Sequence, residues 1–250
     1  VGLAATSPSN AAPEIHLMTP QSIAGAGEIN ISGVTLRPRS NSTGVNTQVL
    51  WGNDVNVLYD STIRPRNVDA NDHVRHLFRN LTVEYASRLW FDRENNHTWS
   101  FRDVTFKGAN FVDVNFTSNF AGQFGYQHGV PYNVTFGGPM WLNIRYGVTE
   151  WGSLRWAAGV HADDRRWTLA GEGGSTGQMH LMAPAAAGYT ATVEVIQGVL
   201  SLRADGALGT GSTVTVVAPG RLDFTVGPKR QNTDRKSTRL NSSHANISYA

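Results

Sequence analysis

The stretch GVLSLRADGALGTGSTVTV, residues 198–216, carries the clearest indication of how the chain folds. Apolar and polar residues alternate at both of its ends, as they do in strands that bury one face. Gly206, Gly209 and Gly211 lie between the two alternating runs, and glycine adopts backbone conformations that other residues resist. We predict two strands joined by a glycine corner, with Leu208 turned inward at the corner.

The glycine corner is not predicted to bind phosphate. Glycine-rich phosphate loops lead into a helix whose backbone amides face the anion. Here the β-branched run STVTVV follows, the order of the glycines differs from the dinucleotide fingerprint, and the lysine of a P-loop is missing. We therefore expect Leu200 and Leu202 to face the core from one strand, and Val214 and Val216 to face it from the next.

The same alternation extends from Ile29 to Phe224 in segments of four to ten residues bounded by Gly, Asn, Asp or Pro. Helical periodicity is weak, and the best helix candidate is Asp69 to Asn80. The sequence therefore predicts an all-β protein with at most one short helix.

Short recurring cassettes favour a solenoid over a sandwich. Val104–Phe106, Val114–Phe116 and Val134–Phe136 share a pattern, whereas the Asn-Gly and Asp-Gly turns of tight hairpins are nearly absent, with one Asp-Gly at Asp205-Gly206. At roughly 20 to 30 residues per coil, we expect roughly seven to ten stacked coils around an axial core.

Composition excludes several classes of site and partner. The 250 residues contain no cysteine, so disulfides, Fe–S clusters and thiolate zinc sites are excluded. The net charge of +2 depends on the segment from residue 229 to residue 239, where five cationic residues face one Asp; without that segment the chain sums to 2 − 4 = −2. We therefore predict no nucleic-acid partner.

The segment from Trp167 to Phe224 resembles the autotransporter-associated β-strand repeat, also called the passenger-associated transport repeat (PATR). The matching elements occur in the family's order and are the Trp-Thr-Leu-x-Gly opening at Trp167–Gly171, the Val-x-x-Gly-x-Leu-x-Leu run at Val195–Leu202, the turn at Gly206–Gly211, Val-Thr-Val at Val214–Val216, and Gly-x-Leu-Asp at Gly220–Asp223. One departure is Gly188–Thr192, which keeps Tyr-Thr but lacks the family's glycine pair.

The resemblance implies a right-handed parallel β-helix, a single-stranded pectin-lyase-like solenoid. It further implies a non-catalytic, cofactor-free passenger segment of a bacterial autotransporter, located extracellularly or on the cell surface. Such a segment acts as an adhesin, a spacer or an export and folding scaffold. Its implied partners are an outer-membrane translocator barrel, whose strands we do not recognise among these residues, and a host-surface or glycan ligand.

A second interpretation stays open, a pectin-lyase-like polysaccharide-degrading enzyme or a carbohydrate-binding β-helix that uses Asp, Arg and Trp on one outer face. Two carboxylates and an arginine converging in a lateral groove would favour it.

The expected organisation has three parts. Residues 1–28 are an irregular N-terminal segment of a fragment, and residues 29–228 form the β-helix, with the repeat-like region over 165–226. Residues 229–250 are expected to be a disordered tail that packs against nothing, because they lack an apolar pattern. TDRKSTRLNSSHANISYA, residues 233–250, resembles a metagenomic sequencing artefact; the alternative is a solvated basic terminus.

Three sets of residues have side chains that could form a chemical site. Asp69, Asp72, His73 and His76 have the spacing of metal ligands on a helix, but a third ligand at fixed spacing is missing. Asp163 and Asp164 could form a carboxylate pair, yet neighbours on a strand face opposite sides and a charged turn is favoured.

The tryptophans could line a groove for sugar stacking, although packing in the core is the favoured interpretation. The ones considered are Trp141, Trp151, Trp156 and Trp167. No catalytic, cofactor-binding or metal-binding residue is predicted.

Overall fold

The computed structural model describes residues 2–4, 13–17, 27–40, 47–64, 66–67, 74–84, 88–91, 97–108, 110–115, 121–171, 177–224 and 244–248. These residues form a parallel β-helix with three sheets, which confirms the predicted fold class. Each complete coil adds one strand to each sheet, because alternating side chains can then stack both along the axis and across the core.

The first sheet has the strand order β1-β3-β6-β10-β13-β18-β21 and is parallel throughout. Its strands are β1 (Gly2–Ala4), β3 (Glu28–Ser32), β6 (Asp54–Tyr59), β10 (Leu81–Val83), β13 (Val104–Phe106), β18 (Asn133–Phe136) and β21 (Ser153–Trp156).

The second sheet has the order β2-β4-β7-β11-β14-β19-β22-β24-β26-β28, and β8 pairs with β4. Its strands are β2 (Glu14–Leu17), β4 (Thr35–Ser40), β7 (Ser61–Ile63), β8 (Arg66–Asn67), β11 (Arg88–Phe91), β14 (Asn110–Asn115), β19 (Met140–Tyr146), β22 (Arg166–Ala170), β24 (Thr192–Val195), β26 (Thr213–Val217) and β28 (His244–Ser248).

The third sheet runs in the order β5-β9-β12-β15-β20-β23-β25-β27. Its strands are β5 (Thr47–Leu50), β9 (Val74–Leu77), β12 (His97–Phe101), β15 (Ala121–Phe124), β20 (Val148–Trp151), β23 (Gln178–Leu181), β25 (Val199–Leu202) and β27 (Arg221–Phe224). A separate hairpin consists of β16 (Tyr126–Gln127) and β17 (Val130–Pro131).

Six coils within the described residues contribute a strand to all three sheets, from β3-β4-β5 to β21-β22-β23. This is fewer than the seven to ten coils predicted, because no third-sheet strand is described between β2 and β3 and the last two coils lack a first-sheet strand. In the last two coils, loops after β23 and β25 take the place of a first-sheet strand.

The recurring cassettes are stacked strands. Val104, Thr105 and Phe106 of β13 pair with Val134, Thr135 and Phe136 of β18, so their separation of thirty residues is one coil. The remaining cassette begins at Val114 of β14, which belongs to the second sheet. Similar sequence segments thus lie in different sheets of the β-helix.

The inward side chains form one continuous core. Leu200, Val214 and Val216 are at most 3% exposed and Leu202 is 7% exposed, which confirms their predicted inward orientation. Aromatic residues fill the middle of the core. Those with at most 1% of their surface exposed there are Phe91, Trp99, Phe101, Phe106, Phe124, Phe136 and Trp151.

The glycine corner is confirmed. Gly206, Gly209 and Gly211 have φ angles of +68°, +69° and +79°. Leu208 is 1% exposed, and its carbonyl oxygen accepts a hydrogen bond of 2.6 Å from the Ser212 hydroxyl. The corner turns the chain while Leu208 fills the core beneath it.

The helix candidate Asp69–Asn80 is wrong over its described part, because residues 74–80 contain strand β9 and no helix. Val74 and His76 face the core while Arg75 faces outward, and β9 pairs with β5 and β12. The period-two burial on a sheet outweighs the helical spacing of Val74, Leu77 and Phe78.

One tight hairpin lies where no Asn-Gly or Asp-Gly occurs. His128 and Gly129 connect β16 to β17 with φ angles of +54° and +78°. Two central residues with positive φ are typical of a type I′ turn, and His is uncommon there, which explains why the sequence pattern did not reveal it.

Both ends differ from the expected organisation. Residues 1–28 are not irregular throughout, since β1 and β2 pair with β3 and β4. The expectation that residues 229–250 pack against nothing is wrong for 244–248, which form β28 antiparallel to β26. β26 offers an edge of unpaired backbone groups there, and such an edge can accept a strand of modest apolar content.

Helical structure in the described ranges is confined to a 3-10 turn, Ala162–Asp164. No helix among the described residues is long and apolar enough to span a membrane.

Candidate functional site

A line of outward side chains crosses the second sheet at a common register. Arg88 pairs with Phe111, Phe111 with Trp141, Trp141 with Thr168, and Thr168 with Glu194. Because parallel strands keep paired residues on the same face, these five side chains lie one above another outside the core.

The middle of this line is an exposed aromatic stack. The rings of Phe111 and Trp141 have centroids 6.4 Å apart and planes 14° apart. The guanidinium carbon of Arg88 lies 4.4 Å from the Phe111 ring centroid and 5.3 Å from that of Trp90. Trp141 leaves 41% of its surface exposed, so one face of the stack is open to solvent.

A groove of about 840 Å³ runs along this line, and we call it the aromatic groove. Its floor includes Met140 and Trp167, which are 3% and 1% exposed and belong to the core beneath it. The groove is lined by Asp60, Arg88, Asn110, Phe111, Pro139, Met140, Trp141, Arg166, Trp167, Thr168 and Glu194. Aromatic surface in the centre is thus flanked by charged and polar groups.

The two carboxylates of the groove lie at its opposite ends. Asp60 precedes β7 and accepts a hydrogen bond of 2.7 Å from the backbone N–H of Arg88, whereas Glu194 lies on β24. Five strand spacings separate β7 from β24, which places the carboxylates about 24 Å apart at about 4.8 Å per spacing. Glycoside hydrolysis needs carboxyl groups about 5 to 9.5 Å apart, so these two cannot act as a pair.

The four tryptophans weighed for sugar stacking have separate environments. Trp151 and Trp167 are buried, and the Trp167 indole N–H donates a hydrogen bond of 3.0 Å to the Tyr189 hydroxyl. Trp156 is half-buried, and Trp141 lies in the aromatic groove. The prediction of core packing is therefore confirmed for Trp151 and Trp167, and the hypothesis of a sugar-stacking groove applies to Trp141.

Asp163 and Asp164, considered as a carboxylate pair but predicted to be a charged turn, lie on the exposed 3-10 turn and outside the lining of the aromatic groove. A charged surface turn is the correct interpretation there. His161, the N-cap of this turn, lies 3.4 Å from a carboxylate oxygen of Asp163.

Of the four candidate metal ligands, His76 alone lies in the described part of the chain. Asp69, Asp72 and His73 lie outside the described residues. His76 is buried in the core, where its Nδ1 accepts a hydrogen bond of 3.0 Å from the Trp51 indole. Among the described residues, no group of three His, Asp or Glu side chains could hold a metal ion.

A column of polar side chains on the third sheet was not predicted from the sequence. It runs through Ser100, Gln123, Glu150, His180, Ser201 and Asp223. Gln123 donates a hydrogen bond of 2.6 Å to Glu150 and accepts one of 3.3 Å from Arg75. Burial lowers the pKa of Arg75, and the charge of Glu150 opposes this effect. The hydrogen bonds from Arg75 through Gln123 to Glu150 link strands β9, β15 and β20 of the third sheet.

His180 lies in this column on β23 and is half-buried. Burial and the neighbouring Arg203, whose Nη2 lies 3.3 Å from His180 Nε2, lower its pKa to about 4, while Asp223 acts in the opposite direction. His180 is therefore neutral at physiological pH.

Nothing matches this chain among protein-family models, curated protein sequences or solved structures.

Proposed function

We propose that this chain is a non-catalytic, extracellular β-helical passenger segment of an autotransporter, and that it binds polysaccharide along the aromatic groove. The observation that carries the binding proposal is the exposed stack of Phe111 and Trp141, with the guanidinium of Arg88 over one end of it.

Sugar rings have one face of C–H groups and a rim of hydroxyls. The C–H face stacks on an aromatic ring as other apolar surfaces do, and the rim needs hydrogen-bond partners. The groove offers both, since Arg88, Arg166 and Thr168 flank the rings. Its course across successive strands suits an extended polymer better than a single small molecule.

Binding is favoured over cleavage by the position of the carboxylates. Asp60 and Glu194 are too far apart for acid–base or nucleophilic catalysis on one glycosidic bond. The converging carboxylates and arginine that would favour the enzyme are therefore not found in this groove.

The passenger assignment is supported by the resemblance over Trp167–Phe224 and by the rod-like stacking of the coils. Parallel strands about 4.8 Å apart build a rigid spacer whose length grows with each coil.

The binding proposal is tested by affinity electrophoresis of the full chain in gels that contain a series of neutral and acidic polysaccharides. Trp141→Ala should weaken retardation by at least about tenfold, equivalent to about 1.4 kcal/mol. Tyr146→Ala is the matched control, because Tyr146 lies on the same strand and is 45% exposed but lies outside the groove. Equal behaviour of the two variants would contradict the proposal.

The passenger assignment has its own test. The chain is fused N-terminally to a known translocator barrel and expressed in a Gram-negative host. We expect the β-helix at the cell surface, accessible to added protease in intact cells. Retention in the periplasm, with a matched passenger exported in parallel, would count against the assignment.

A further inference from the structure

A second, smaller cleft lies where the first sheet ends. It measures about 360 Å³ and begins at β21, the last strand of that sheet. We call it the arginine cleft. Its lining consists of Arg155, Trp156, the loop 157–159, Arg165, the loop 186–188 and Tyr189.

The ionic groups of the lining are two guanidiniums. Within the described part of the chain, neither Arg155 nor Arg165 forms an ion pair. Arg155 Nη2 donates to the Asn133 side-chain oxygen, and Arg165 Nε donates a hydrogen bond of 3.3 Å to the Val160 carbonyl. The Nε of Arg155 is buried and has no hydrogen-bond partner among the described residues. Such a donor is costly unless a ligand or water satisfies it.

The floor of the arginine cleft is a fixed aromatic pair. The rings of Trp156 and Tyr189 stack with centroids 5.7 Å apart and planes 6° apart. The Trp156 indole donates a hydrogen bond of 2.8 Å to the Thr190 carbonyl, and Tyr189 accepts one from Trp167. Burial raises the pKa of Tyr189, so this ring adds no charge. The floor is therefore rigid and neutral before any ligand arrives.

The rim of the cleft is built from small residues. Loop 157–159 reads Ala-Ala-Gly, and loop 186–188 has the same sequence. Gly159 and Gly188 have φ angles of +85° and +74°, and nothing lies within 4 Å of the position of a Cβ at either glycine. The rim thus adds no large side chain over the half-buried Arg155, Trp156 and Arg165, while Tyr189 is buried.

We propose that the arginine cleft binds an anionic sugar residue through its oxyanion, which is a carboxylate or a sulfate. Planar guanidiniums recognise both groups through paired hydrogen bonds, and the half-buried Trp156 offers aromatic surface to the C–H face of a sugar. The inference deepens the proposed function and rests on it for the identity of the ligand as a sugar. Arg165 lines this cleft and its neighbour Arg166 lines the aromatic groove, so one acidic polymer can reach both.

The test is isothermal titration of the full chain with four probes: glucuronate, glucose 6-sulfate, glucose and inorganic sulfate. We expect the two anionic sugars to bind, more weakly at high salt, and glucose to bind at least tenfold more weakly. The stronger of the two anionic sugars identifies the oxyanion. Equal affinity for inorganic sulfate and glucose 6-sulfate would overturn the sugar assignment, and no heat with either anionic sugar would overturn the site.

Variants locate the binding. Arg155→Gln and Arg165→Gln should each reduce affinity for the anionic sugar at least tenfold, and Arg155→Lys should restore part of it, because lysine keeps the charge without the planar pair of donors. Arg221→Gln is the matched control and should leave monosaccharide affinity unchanged, because Arg221 is exposed on β27 and lines neither the arginine cleft nor the aromatic groove. Circular dichroism of each variant confirms that it is folded. An unchanged affinity in folded Arg165→Gln, or an equal loss in Arg221→Gln, would refute the site.

The two proposals fail separately. If Trp141→Ala abolishes polysaccharide retardation and leaves glucuronate binding intact, both proposals stand. If the wild-type chain binds no polysaccharide but still binds an anionic monosaccharide through Arg155 and Arg165, the proposed function fails and the oxyanion site survives. If polysaccharides bind but neither anionic sugar does, the arginine cleft is refuted alone.

Discussion

Phe124 and Phe111 provide a matched test of the β-helix and of its outer face. Phe124 is fully buried, with ring centroids 4.4 Å from Trp151, 4.7 Å from Trp99 and 4.9 Å from Phe91. Truncation of a buried Phe to Ala costs about 3 to 5 kcal/mol. Because three rings lose a partner at once, we expect Phe124→Ala to lie near the upper end, about 4 to 5 kcal/mol.

Phe111 undergoes the same truncation on the outside of the next sheet. Its ring is half-exposed and contacts Trp141 and the guanidinium of Arg88, so no core cavity forms when it is removed. The loss of one stacked pair and one cation–π contact is expected to cost about 1 kcal/mol. The two identical substitutions should therefore differ by about 3 to 4 kcal/mol.

The assay is equilibrium unfolding in urea, followed by far-ultraviolet circular dichroism. Polysaccharide binding is measured below the unfolding transition. We expect Phe124→Ala to lower the free energy of unfolding strongly and to keep its affinity, and Phe111→Ala to do the reverse. Similar losses of stability in the two variants would refute the assignment of inner and outer faces on which the aromatic groove depends.

Two further predictions concern the glycine corner and the polar column. Gly209→Ala should destabilise the chain by more than about 3 kcal/mol and Gly206→Ala by only about 1 to 2 kcal/mol. Both glycines have positive φ, but a Cβ on Gly209 would lie 2.2 Å from the Tyr189 carbonyl oxygen, whereas one on Gly206 meets nothing closer than 4.0 Å. Thermal unfolding of both variants measures the difference in stability, and equal losses would contradict the prediction. The pKa of His180 falls from 6.5 in the unfolded chain to about 4 in the folded one. The unfolded state therefore binds the proton first, and stability should be full above pH 6.5 and decrease by about 1 to 2 kcal/mol as the pH falls towards 4, after allowance for partial exposure. His180→Gln should flatten this part of the pH profile of unfolding, and an unchanged slope would show that other groups cause it.

The alternation of apolar and polar residues in the sequence, with its glycine corners, was sufficient to predict a β-helical fold. Alternation in segments such as Val199–Leu202 and Thr213–Val217 places every second residue in the core, and glycines supply the corners. These signals are local, so one chain displays them without any knowledge of its contacts.

The errors arose where tertiary context decides. Residues 74–77 carry a helix-compatible spacing but also alternate, and pairing with the strands on both sides selects the strand. His128 adopts a positive φ because the hairpin requires it, although few histidines do so. Strand β28 forms because β26 presents a free edge, which its own composition does not reveal.

The aromatic groove could not be predicted, for a reason rooted in the architecture. Arg88, Phe111, Trp141, Thr168 and Glu194 follow one another at 23, 30, 27 and 26 residues, according to their pairing. The differences arise because the corners between strands vary in length. Side chains alternate regularly within each strand, but the number of residues per coil is not constant. Inward positions are recognisable without the register, because any apolar residue there serves the common core. An outer binding surface depends on which particular side chains are stacked, and that is determined only when the lengths of all the corners between them are known.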